Sequence, residues 1–167
     1  MANLIKRSWI GALALGIILV GAGIFMVYEG RQAHNDVRDT LAGERVVSSE
    51  DADIPLVPVT GPAEAKAQAD AIRHHIRTTT GGKTYAELDR NDPNRAQYLN
   101  SITLRTALME SYMAFKTSDL VSGIGAIVIL LGLSHVALGA YLGFVSRTAA
   151  EPKAKVQAVR QPVTEQA

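Results

Sequence analysis

The chain predicts an all-α membrane protein: two transmembrane helices joined by a largely helical extracytoplasmic loop, with the second loop helix able to continue into span two. Three observations predict it. Residues 9–28 and 120–144 are apolar and contain no Asp, Glu, Lys or Arg, and each reaches the roughly 20 residues that cross a hydrocarbon core of about 30 Å. Residues 29–119 between them are polar and carry two helical patterns separated by glycine and proline signals. Basic residues flank both spans on their outer sides: Lys6 and Arg7 before the first, and Arg147, Lys153, Lys155 and Arg160 after the second. By the positive-inside rule both termini are cytoplasmic.

In order, the elements are an N-terminal tail (1–8), span one (9–28), the loop (29–119), span two (120–144) and a C-terminal tail (145–167). The apolar run after Lys6 and Arg7 is longer than the roughly 7 to 15 residues of a secretory h-region and is followed by no clear small-x-small site, so span one reads as an uncleaved anchor. In the loop, 29–45 has mixed charge, and Val37 and Leu41 are too few to define a buried face; a few further turns of helix are expected there. Residues 46–62 combine Glu50, Asp51 and Asp53 with Pro55, Pro58 and Pro62. Each proline holds its predecessor extended, so this reads as an exposed strap.

Pro62 and Glu64 then open a helix over 62–79. Ala65, Ala69, Ile72 and Ile76 line one face, and Gly81-Gly82 stands where a helix stop favours positive φ. Asp92-Pro93 opens a second helix over 93–115, on which Leu99, Ile102, Thr106, Met109 and Met113 form a heptad-like stripe. No Gly or Pro interrupts 94–122, so a continuous rod of ~75 Å into span two is expected at ~1.5 Å per residue.

The sharpest pattern lies in span two. Ser118, Ser122, Gly125, Ile129, Gly132, Val136, Gly139 and Gly143 recur in steps of four and three, and span one offers Ala12, Gly16, Leu19 and Gly23. Lipid tails are as apolar as leucine, so helices associate in a bilayer by close backbone approach at small residues. Pairing of the two spans is expected, within one chain or between chains. His135, the readily ionisable residue in the span core, lies beside this seam and reads as a packing histidine, hydrogen-bonded to Ser134 or a partner. A proton pathway through it would need titratable neighbours that neither span supplies.

Composition excludes several classes. A formal charge of +1 without a concentrated basic patch argues against nucleic-acid binding. The lack of cysteine removes disulfides and thiolate chemistry. His74 and His75 are adjacent on a helix and diverge by about 100°, so they do not converge on a metal; no metal ligand set, cofactor or catalytic residue is expected. Gly82-Lys83-Thr84 lacks the earlier glycine of a phosphate loop, since Arg77 occupies that position.

The segment Gly81 to Arg90 (GGKTYAELDR), followed by Asp92-Pro93 and Arg95 and preceded by Ala67 to Ile72, resembles the small actinobacterial two-span membrane proteins that carry the inherited label "aromatic ring-opening dioxygenase". The resemblance implies a multi-pass plasma-membrane protein with an outward loop. An extradiol oxygenase needs two His and a carboxylate on one iron, a pattern not legible here. Physically the segment is a corner between two helices, in which Gly81, Gly82, Tyr85 and Leu88 either anchor the hairpin or form a recognition tip. The reading from sequence is therefore a non-enzymatic structural or accessory membrane protein whose contacts are the lipid bilayer and another membrane protein or a second copy. A metal-dependent enzyme with its site in the loop is the alternative.

Overall fold

The computed structural model describes residues 8–148; Lys6, Arg7, Lys153, Lys155 and Arg160 of the topology argument lie outside them. Helix accounts for 78% of the described residues and no strand occurs among them. The elements are α1 (Ser8–Glu44), α2 (Pro62–Thr79) and α3 (Asn94–Thr148). The described residues form two compact units: residues 8–26 with 124–148, and residues 27–123. Both α1 and α3 contribute to each.

The first unit is a pair of antiparallel helical segments. Both α1 and α3 are long and apolar enough to cross a membrane, and only 11% of the most apolar window of each is buried. The core helix of a soluble protein would hide most of such a window. Instead Ile17, Ile18, Phe25, Leu130, Tyr141 and Phe144 are all more than 60% exposed, as suits helices that could span a membrane.

The second unit packs the C-terminal part of α1, the strap, α2 and the N-terminal part of α3. Helix α1 continues without a break to Glu44, presenting Gly30 and Leu41 as buried positions with His34 and Val37 half-buried between them. Helix α2 starts at Pro62 after an extended Gly61 and ends at Thr79. Gly81 and Gly82 follow at φ +60° and +85°, and Gly82 N–H donates back to the Arg77 carbonyl at 2.7 Å, satisfying an acceptor that the helix end leaves open. Asp92 Oδ1 accepts from Asn94 N–H at 2.8 Å to cap α3.

Two details depart from the periodic reading. Of the stripe, Leu99, Ile102 and Met113 are 50%, 37% and 57% exposed and Thr106 is exposed, with Met109 alone packed against a core cluster, whereas Tyr98, Leu108 and Phe115 are buried at 7%, 3% and 0%. The buried face of α3 lies one residue back, about 100° round the helix. Tyr98, Tyr112 and Phe115 bring more area to that face than an aliphatic count credits, and Arg105 in its midst masks the pattern. The strap, moreover, is docked. Val59 is 1% exposed and joins Ala65, Ala69, Ile72 and Leu108 in a core cluster. A single bridge between Val47 and Pro58 folds the strap back on itself, with Ser48 N–H donating to the Val57 carbonyl at 2.9 Å and Val59 N–H to the Val46 carbonyl at 2.8 Å.

Candidate functional site

Two places collect the residues singled out above: the seam of the first unit and the corner of the second. In the seam, glycine lets the backbones approach until no side chain fits between them. A Cβ on Gly16 would stand 2.8 Å from the Gly132 carbonyl oxygen and 2.7 Å from Val136 N. One on Gly23 would stand 2.6 Å from the Gly125 carbonyl oxygen. Gly132 faces Val20 and Gly16, and Gly139 faces Leu13 and Trp9. Gly143 lies against the Trp9 ring, where a Cβ would sit 3.3 Å away. By contrast Gly11, Gly21 and Gly123 have nothing within 4 Å of a Cβ position.

Within the second unit Gly30 meets α3 in the same way, its Cβ position 2.8 Å from the Ser118 carbonyl oxygen and against the Ser122 hydroxyl. This residue is absent from the seam read out of the sequence, although Gly16, Gly23 and Gly30 stand seven apart. A strict seven-residue repeat is the period that keeps a contact face toward its partner in a left-handed pair.

His135 Nδ1–H donates to the Leu131 carbonyl of its own helix at 2.8 Å, and Ser134 Oγ donates to the Leu130 carbonyl at 2.9 Å. The histidine is bonded to its own backbone rather than to Ser134.

At the corner, Leu88 is 5% exposed and clusters with Ile76 and Tyr98, with Tyr85 against them. It is therefore a core residue, and Tyr85 is the half-buried edge of the same cluster. Arg95 holds this arrangement: its guanidinium stacks 4.1 Å from the Tyr85 ring centroid, and Nη1 donates to the Leu88 carbonyl at 2.9 Å. The Glu87 carboxylate accepts from Thr84 N–H at 2.6 Å and from the Thr84 hydroxyl at 2.8 Å; these bonds to the charged form hold its carboxyl below the usual range. Gly81 and Gly82 are exposed and act through their backbone.

The histidines go to separate partners. His75 Nε2–H donates to the Asp51 carboxylate of the strap, which lowers the Asp51 pKa. His34 Nδ1–H donates to Asp119 Oδ1 at 3.0 Å and its ring meets Phe115 edge-on at 4.8 Å. Among the described residues no three His, Asp or Glu side chains converge as a ligand set. Gln68, which the sequence reading passed over, is buried and joins α2 to the strap: its Oε1 accepts from Ser49 N–H at 2.6 Å and its Nε2 donates to Ser49 Oγ at 3.0 Å. A long polar residue on the apolar face of a helix is the signal that could have found it.

No family model, curated protein or solved structure matches this chain.

Proposed function

We propose that the chain is a non-enzymatic structural or accessory membrane protein, multi-pass in the plasma membrane with both termini cytoplasmic, and a subunit or assembly partner of a larger membrane or envelope complex. One observation carries this reading. Leu99 and Met113 are large apolar side chains on one side of the part of α3 outside the span, and they are 50% and 57% exposed. Apolar groups uncovered along a helix face that is not bathed in lipid are the usual mark of a protein contact. The glycine pairing supports it, because two spans already joined to each other leave their outer faces for lipid or a further helix. The resemblance to actinobacterial two-span proteins supports the plasma membrane as the compartment.

The test is purification of the full chain from its native membranes in mild detergent, with mass determination and identification of co-eluting proteins, beside Leu99→Glu and Met113→Glu variants. A stoichiometric complex that both variants lose supports the reading. A bare monomer, or a complex indifferent to both substitutions, refutes it.

A further inference from the structure

The second unit contains a cavity of about 360 Å³ between α2, the corner and the start of α3. Its walls are of two kinds. Ile72 and Ile76 from α2 and Tyr85 and Tyr98 from the corner and α3 supply apolar and aromatic surface. Arg73 from α2 and Arg105 from α3 supply two guanidinium groups, and Thr84 and Ser101 two hydroxyls. Among the described residues no carboxylate lines it.

The two arginines are uncommitted. Neither has an ion-pair partner among the described residues, and Arg105 Nε is enclosed without a hydrogen-bond partner. Arg95, next to them in the corner, shows the contrast, since it is spent on the Tyr85 ring and the Leu88 carbonyl. An enclosed guanidinium nitrogen with no acceptor loses hydration without compensation. Arg105, with its enclosed Nε, and the exposed Arg73 line one hollow with no counter-charge in its described lining, a pair of cations suited to an oxyanion, and the ring of Tyr85, fixed by the stacked Arg95, gives a rigid wall for an apolar body. The volume lies at the lower end of the roughly 300 to 1,000 Å³ typical of small-ligand sites.

We infer that this cavity binds a small organic oxyanion, a carboxylate or phosphate monoester carrying an apolar body about the size of one aromatic ring, with Arg73 and Arg105 on the anion and Tyr85 and Tyr98 on the body. The site shares Ile102 with the stripe on α3 but uses neither Leu99 nor Met113, on which the accessory role proposed above is tested. The oxyanion has two possible sources, a soluble molecule or a lipid headgroup.

The test is calorimetric titration of the full chain in phosphatidylcholine nanodiscs with phenyl phosphate and with benzoate, using benzyl alcohol as the neutral control. Saturable one-to-one binding of at least one anion is expected, with Arg73→Gln and Arg105→Gln each weakening it by about ten- to a hundredfold, the range of a charge-assisted hydrogen bond. Ala86→Trp, which fills the cavity from its exposed rim, abolishes binding while the circular-dichroism spectrum stays that of the parent, so loss of the site is separated from loss of the fold. Including phosphatidic acid, whose headgroup is a phosphate monoester, in the discs identifies the source: competition with the probe assigns the lipid headgroup, and unchanged binding assigns a soluble ligand. Failure of both anions to saturate, equal binding of benzyl alcohol, or parental affinity in both arginine variants would overturn the inference.

Discussion

Gly23 and Gly125 meet backbone to backbone: a Cβ added to Gly23 would stand 2.6 Å from the Gly125 carbonyl oxygen. Real Cβ atoms do not sustain that distance, so any larger residue forces the helices apart. Gly21, two positions away on the same helix, has open space at its Cβ. Gly23→Leu is therefore expected to destabilise the helix pair by about 1–3 kcal/mol, the usual range for overpacking. Gly21→Leu should be neutral or slightly stabilising because it also removes a flexible helix glycine. Thermal unfolding of the two variants in nanodiscs gives the comparison, and equal Tm values would contradict the seam.

The Gln68–Ser49 contact makes a second prediction. Gln68→Met keeps the volume but leaves Ser49 N–H without its acceptor, and the strap should loosen by about 1–3 kcal/mol. Amide exchange at Ser49, Ser48 and Val59 should accelerate, while exchange in the middle of α3 stays at its parental rate.

The strap is also expected to depend on pH. The hydrogen bond from His75 places the Asp51 pKa below its ordinary 3.8, so the folded state favours the ionised carboxylate. A group depressed on folding contributes stability that is fully present above its unfolded value and is lost as pH falls through the folded value. Protection of the Val59 amide should accordingly be constant from neutral pH down to the carboxylate range and fall below it. Asp51→Asn should remove that acidic step. A strap whose protection falls on the alkaline side instead would contradict the assignment.

Phe115 and Asp119 lie one turn apart on α3 and both meet His34, yet they should differ sharply. Phe115 is fully buried, and Phe115→Ala should cost about 3–5 kcal/mol. The Asp119 side chain is 53% exposed, where an ion pair contributes about 0–1 kcal/mol, so Asp119→Ala should shift Tm little. Chemical denaturation of the two variants decides between packing and charge as the basis of this contact.

Much of the architecture is legible in local sequence because its causes are local. Pro62 and Gly81-Gly82 bracket α2, since one presets φ for a first turn and the other adopts the positive φ that ends a helix. The small residues of the seam are visible as spacing alone. Gly30 is visible too, once the seven-residue interval is followed past Gly23 into the polar part of α1. The face of α3 was not legible in the same way: the periodic stripe selects Leu99, Ile102, Thr106, Met109 and Met113, of which only Met109 packs against a core cluster, and the aromatic face one residue back is the one that α1, α2 and the strap cover.

The sequence by itself determined the two apolar helices, the helix stops and the small-residue seam, because hydropathy, φ preference and periodicity act over a few neighbouring residues. Only the tertiary structure decided which backbone atoms the seam glycines meet, that the proline strap is docked through Val59 and Gln68, and that Arg73 and Arg105 line one cavity. Those outcomes depend on surface presented by residues far apart in the chain, and each residue turns the helix by about 100°, so one step of register exchanges a buried face for an exposed one.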